Sequence, residues 1–101
     1  MLKKRFFKTK DECEVTFEYT GSEAREVALV CEANGWQPIA MKRSKKGPFR
    51  TRVRFPKESR FQFRYLVDQE HWDNDTAADA FCPNGFGSRN GVIATTVETS
   101  R

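Results

Sequence analysis

The sequence predicts an all-β domain, an immunoglobulin-like β-sandwich of about seven strands, on three observations. Apolar residues alternate with polar ones over several short segments, turn-forming residues separate those segments at short intervals, and no stretch carries a convincing helical period. A small barrel is the alternative that the same pattern allows. With 101 residues the chain fits one domain, 1–101, whose core is expected over about 12–98.

The first element is expected from Glu12, where Cys13, Val15, Phe17 and Tyr19 share one face and Glu14, Thr16 and Glu18 the other, until Gly21 and Ser22 interrupt it. Val27-Ala28-Leu29-Val30-Cys31 is apolar on both faces, which suits a strand nearer the centre of a sheet. Asn34-Gly35 then supplies a tight turn, so the segment around Ile39 and Met41 should return beside that strand. After Gly47-Pro48, the residues Phe49, Thr51, Val53 and Phe55 alternate with Arg50, Arg52 and Arg54 and place three guanidinium groups on a solvent face. The clearest strand follows, with Phe61, Phe63, Tyr65 and Val67 pointing one way and Gln62, Arg64 and Leu66 the other. Residues 69–91, rich in Asp, Asn, Gly and Pro, read as a long ordered loop with at most a helical turn near Thr76–Ala80 capped by Asp75, and Val92–Val97 as the closing strand.

Thirteen aromatic residues, nine of them Phe, indicate that rings supply most of the buried surface. The net charge of +4 arises from 18 basic residues against 14 acidic ones spread along the chain, which is well short of a polybasic tail. Cys13, Cys31 and Cys82 form neither a CxxC pair nor a metal-ligand spacing, so each reads as a small hydrophobe. No apolar run long enough for a signal peptide or a membrane span opens the chain, and the expectation is a reduced, cytoplasmic protein.

Four stretches, in order and spacing, resemble a known family: Glu26 to Trp36, Phe61 to Asp68, Trp72-Asp73-Asn74-Asp75, and Pro83 to Val92. The chain is similar to the isoamylase-type early-set domain, the family-forty-eight carbohydrate-binding module. That module precedes the catalytic barrel in glycogen branching and debranching enzymes and forms the glycogen-binding domain of the AMP-activated kinase β subunit. The resemblance implies a non-catalytic module that binds an α-1,4-glucan such as glycogen or a maltooligosaccharide and needs no cofactor. It implies glucose contacts from two Trp residues, a basic residue between them, and an apolar residue, a hydroxyl and an Asn in the final loop. By position these are Trp36, Arg64, Trp72, Phe86, Ser88 and Asn90. The chain departs from the family at Cys31 and Ala33, and at Asp68-Gln69-Glu70-His71, where the turn before Trp72 is one residue longer than in the kinase domain.

Elementary chemistry agrees with that assignment. A glucopyranose ring offers apolar C–H faces and hydroxyl edges, so its receptor needs flat rings bordered by donors and acceptors. By periodicity alone each Trp reads as core, but Trp36 follows a turn and Trp72 stands among Asp, Asn and His. For Arg64 a solvated sheet residue and a ligand contact remain equally open, and Asn90 beside Gly91 reads by default as a turn residue. An enzyme is not expected: Asp68, Asp73, Asp75 and Asp79 lie in a turn-rich segment where Asp caps backbone, and the single His71 has no nucleophile beside it. Two other classes stand against glucan binding. One is a docking module that pairs with a glycogen-metabolising enzyme or with itself and has lost sugar binding. The other, ranked lower, is nucleic-acid binding by the basic stretch from Lys42 to Arg54, which contains no nucleic-acid motif.

Overall fold

A computed structural model describes residues 2–21, 24–43, 45, 47–83 and 88–96. Among them, ten strands run in the order β1 (Leu2–Phe6), β2 (Glu12–Tyr19), β3 (Val27–Cys31), β4 (Ile39–Ala40), β5 (Lys42–Arg43), β6 (Phe49–Pro56), β7 (Arg60–Val67), β8 (His71–Asp73), β9 (Ala80–Pro83) and β10 (Arg89–Ala94). They form two antiparallel sheets, β1-β2-β6-β5 and β4-β3-β7-β10-β9, with β8 added to β7. The fold is the all-β, immunoglobulin-like sandwich that the alternation predicts. Seven of the strands have four or more residues; β4, β5 and β8 are short additions. No described helix is long and apolar enough to cross a membrane.

The inner layer follows from the period of two. Cys13, Val15 and Phe17 of β2, Leu29 of β3, Phe55 of β6, Phe63 and Tyr65 of β7 and Ile93 of β10 are all buried. Phe17 meets Phe63 edge-on at 5.2 Å between ring centroids and Phe55 at 6.2 Å, and Phe55 stacks on Phe61 at 5.2 Å. Such ring pairs add about 0.5–1.5 kcal/mol each beyond the area they bury. Cys13 and Cys31 belong to this layer as free thiols, and burial raises the pKa of both, so they remain protonated hydrophobes. Cys82 is also free but only half-buried.

Four features differ from the sequence expectation. The described chain starts with a strand, β1, ahead of Glu12, because the cationic run Lys3-Lys4-Arg5 hides an edge strand whose flanking Leu2 and Phe6 are half-buried. Lys4, opposite the inward Val15, remains exposed at the sheet edge and reaches both oxygens of Asp79 at 2.9 and 2.8 Å, an edge charge of the kind that blocks edge-to-edge pairing. The segment 69–91 is not one loop but contains β8, β9 and the start of β10, strands too short for periodicity to reveal. No helix forms near Thr76; Asp75 instead accepts the Ala77 N–H at 2.9 Å in a local turn. The closing strand is Arg89–Ala94 rather than Val92–Val97. Asn90-Gly91 therefore lies inside a strand, where a β-carbon at Gly91 would stand 3.3 Å from both the Phe63 ring and Ala78. Glycine is there for that close approach, not for a turn.

Candidate functional site

Strand register assigns the outward residues of the six-stranded sheet. Since Phe63 and Tyr65 point inward, Gln62, Arg64 and Leu66 point outward, joined by Ala28 and Val30 opposite Leu66 and Arg64, by Trp72 opposite Leu66, and by Val92 opposite Gln62. Asn90, two residues before Val92, lies on the same face. This outer face is apolar and amide-rich, and Val30 and Val92 are buried although they belong to the outside.

At its centre β7 forks. On one edge it pairs with β3 over Phe63 to Val67, but on the other β10 leaves after Phe63 and β8 begins at Tyr65, so Arg64 stands at the gap. The Arg64 guanidinium carbon lies 5.4 Å from the centroid of the Trp72 ring, a cation–π contact that fixes the indole against the sheet. Trp72 remains 51% exposed, so that contact leaves much of the indole open. Asn90 is buried and donates through Nδ2 to Gln62 Oε1 at 2.9 Å. Continuing the β7–β8 register puts Asn74 opposite Arg64, and Asn74 Nδ2 bridges the fork by donating to the Arg89 carbonyl at 2.9 Å. Two buried polar atoms at the fork, Arg64 Nε and Asn74 Oδ1, have no partner among the described residues. A shallow depression of about 330 Å³ bordered by Glu32, Arg60, Gln62, Cys82 and Val92 extends the face away from Trp72.

Two phenol–carboxylate bonds brace β8 from beneath. Tyr65 donates to Asp75 at 2.8 Å in the interior, and Tyr19 donates to Asp73 at 2.6 Å, with the two tyrosine rings 5.0 Å apart. Burial, reinforced by the Asp73 hydrogen bond and charge, pushes the Tyr19 hydroxyl up to about 12, and burial beside Asp75 raises that of Tyr65 further. The turn preceding Trp72 is anchored separately. Asp68 and Gln69 have φ of 53° and 61°, strained for residues with a β-carbon. Asp68 Oδ1 holds them by accepting the N–H groups of Arg25 at 2.7 Å and Glu26 at 2.9 Å. Those donors, Glu26 first, keep its carboxyl below the ordinary value of 3.8.

Trp36 follows the short 3-10 turn Glu32–Asn34 at the end of β3 and is 41% exposed. Gly35 closes that turn at φ 74°, but Trp36 itself also takes φ 66°, a left-handed backbone that a bulky residue adopts at a cost of roughly 1–2 kcal/mol. Its N–H donates to the Cys31 carbonyl at 3.0 Å, and Asn34 Nδ2 donates to Gln37 O at 3.2 Å.

Of the residues expected to touch sugar, Arg64, Trp72 and Asn90 come together on one face, and Trp36 stands open at its end. Ser88 is exposed immediately before β10. Phe86 lies outside the described residues. Asn74 and Gln62 complete the fork and were not among the expected contacts. The four loop carboxylates are engaged within the chain: Asp68, Asp73 and Asp75 as above, and Asp79 with Lys4 and the Ala94 N–H. His71 is exposed. Among the described residues no group of three His, Cys, Asp or Glu side chains is placed to hold a metal ion.

No family model and no curated protein matches the chain. Among the solved structures, the chain is similar to the enterobactin esterase from Shigella flexneri determined in the presence of 2,3-dihydroxy-N-benzoyl-serine, with a TM-score of 0.73 and 13% identity. The match covers 93% of this chain but only 32% of the esterase chain. At that identity the likeness is one of fold.

Proposed function

We propose that the chain is a non-catalytic module that binds an α-1,4-glucan on the outer face of its six-stranded sheet. Trp72 and Trp36 are the apolar platforms, and Arg64, Asn90 and Ser88 the polar margin. The observation that carries this reading is the pairing of an open indole, Trp72, with the Arg64 guanidinium on a face whose neighbouring positions are Ala28, Val30, Leu66 and Val92 with the amides Gln62 and Asn90. An indole held flat against a sheet meets the C–H face of a pyranose, while guanidinium and amide groups meet its hydroxyls. Covering a few hundred Å² of apolar surface at about 25 cal/mol per Å² yields several kcal/mol gross; after ordering costs, affinity falls roughly between micromolar and millimolar. Isothermal titration with maltoheptaose or β-cyclodextrin tests it. The wild type should give heat, and Trp36→Ala and Trp72→Ala should lose it while remaining folded. A silent wild type rejects the assignment.

The solved likeness favours a second reading. A domain of this shape makes up about a third of an esterase chain, so the present chain also suits an accessory β-domain that packs against a catalytic partner. In that reading the exposed indoles are interface residues, and maltoheptaose produces no heat.

A further inference from the structure

The edge of the four-stranded sheet carries a second concave surface, unrelated to the indole face. Between β4 and β5 the chain passes from one sheet to the other, with Met41 buried at the crossing and Ala40 and Lys42 facing out. β5 is only two residues long and pairs with the first two residues of the eight-residue β6, so beyond Arg50 that edge of β6 has no strand beside it among the described residues. The step leaves a groove of about 670 Å³ lined by Lys42, Arg43, Arg50 and Arg52 together with Ala40 and Pro48, and no described carboxylate lines it.

Of the four cations lining this groove, Lys42 and Arg52 have no acidic partner among the described residues and Arg50 has one. Lys42 and Arg50 stand directly opposite each other in the β5–β6 register, an arrangement of like charges that disfavours strand pairing. Arg50 has a carboxylate partner, Glu18 at 2.7 Å. Arg52 faces Thr16 across β2, and neither it nor Lys42 has an acidic partner among the described residues. Arg43 is held in place by its Nε bond to the Gly47 carbonyl at 3.1 Å and by stacking over Phe49 at 5.1 Å. Elsewhere on the same face the chain does supply acids, with Glu12 near Arg54 at 3.6 Å and Glu14 opposite Arg5. The deficit is local to the groove.

We infer that this groove is an anion site for a multiply charged phosphate, an oligophosphate or a phosphoryl-bearing small molecule. A guanidinium fork binds phosphate oxygens in pairs, an ammonium adds a mobile point charge, and both are present on opposite walls. A phosphate chain between them removes the Lys42–Arg50 repulsion, so binding and strand pairing reinforce each other.

The test is titration of the whole chain with tripolyphosphate at low ionic strength, followed by calorimetry and by backbone amide shifts. Saturable binding is expected, with shifts concentrated at Ala40, Lys42, Arg50 and Arg52, and screened by added sodium chloride. Lys42→Gln and Arg52→Gln should each weaken it by about fivefold, consistent with loss of one partly screened charge-assisted contact. The charge-matched control Lys8→Gln, an exposed residue in the turn between β1 and β2 towards the opposite end of β6, should leave it nearly unchanged, and maltoheptaose binding should be unaffected by the groove variants. Shifts scattered over all basic residues, or a control that weakens binding as much as Arg52→Gln, overturn the assignment. Absence of binding does so as well. None of these results bears on the indole face, and a negative glucan titration leaves this site standing.

Discussion

The two outer faces of the sandwich obey the same alternation and are built to opposite rules. On the four-stranded side, Glu12, Glu14 and Glu18 of β2 stand among Arg50, Arg52 and Arg54 of β6 and Lys3 and Arg5 of β1, a solvated ladder of opposed charges. On the six-stranded side the outward positions of the central strands are Ala28, Val30, Arg60, Gln62, Arg64, Leu66, Asn90, Val92 and Ala94, with an open Trp72 beside them. Periodicity says which residues leave the core, but not what they do outside it. Backbone strain does not separate the two sides, since Lys45 in the β5–β6 turn is left-handed like Trp36, Asp68 and Gln69; polar pairing does, because the buried side-chain atoms without a partner among the described residues, Arg64 Nε and Asn74 Oδ1, both lie on the six-stranded side. Unmatched buried polar groups are rare in folded chains, so these two mark the fork between β8 and β10 as the place to probe for the proposed ligand.

Variants can break that contrast, beginning with the strongest. Tyr65→Phe removes one buried partner of Asp75 and should cost about 1–3 kcal/mol in chemical denaturation. Because that bond braces β8, maltoheptaose affinity should fall with it even though Tyr65 touches no ligand. Trp36→Gly separates ring from backbone. Relief of the positive φ and the greater freedom of unfolded glycine offset each other, so stability should change by less than about 1 kcal/mol. Glucan affinity should nevertheless drop at least tenfold, the equivalent of about 1.4 kcal/mol. A Trp36→Gly variant that binds normally would remove Trp36 from the site.

Acid and alkali probe the two anchors of Trp72. Asp68 has a depressed pKa in the folded chain, so its contribution is present above its ordinary value of 3.8 and is lost as pH falls through the folded value. Asp68→Asn should flatten the acid limb of a melting-temperature profile. Tyr19 has a raised pKa, so its contribution is complete below 10 and is lost as pH rises from 10 to about 12. Tyr19→Phe should therefore reduce the alkaline fall within that window, leaving the part that belongs to Tyr65, whose pKa is raised as well. The smallest effect belongs to the charged face: Arg54→Ala, which breaks a 3.6 Å pair between half-exposed partners, should alter stability by less than about 0.5 kcal/mol and leave sugar binding intact. A larger loss would mean that the ladder is structural after all.

The sandwich was legible because its long strands are half-buried. The alternations Cys13 to Tyr19, Phe49 to Phe55 and Phe61 to Val67 correspond to β2, β6 and β7, and Arg50, Arg52 and Arg54 face solvent as expected. β1 was hidden by Lys3-Lys4-Arg5, because an edge strand with charge on both faces has no apolar period to read. β8 and β9 were hidden by brevity: three or four residues among Asp and Asn look like turn chemistry, although Asp73 and Asp75 spend their carboxylates on tyrosines from β2 and β7. The exposure of both Trp residues was suggested by their neighbours, whereas Asn74 was out of reach, since its place opposite Arg64 depends on a register that no local pattern encodes. Asn90 misled for the same reason: next to glycine it reads as a turn, yet it is a strand residue bonded to Gln62.

With only two Trp residues, the chain offers two indole N–H resonances that report directly on the proposed face. In a nitrogen–proton correlation spectrum titrated with maltoheptaose, both should move together along a single saturation curve, with the Arg64 Nε–H signal following them. If both indole signals stay fixed while the sugar is raised to millimolar levels, the six-stranded face is not a glucan platform; if the Trp72 signal alone responds, Trp36 is no part of it.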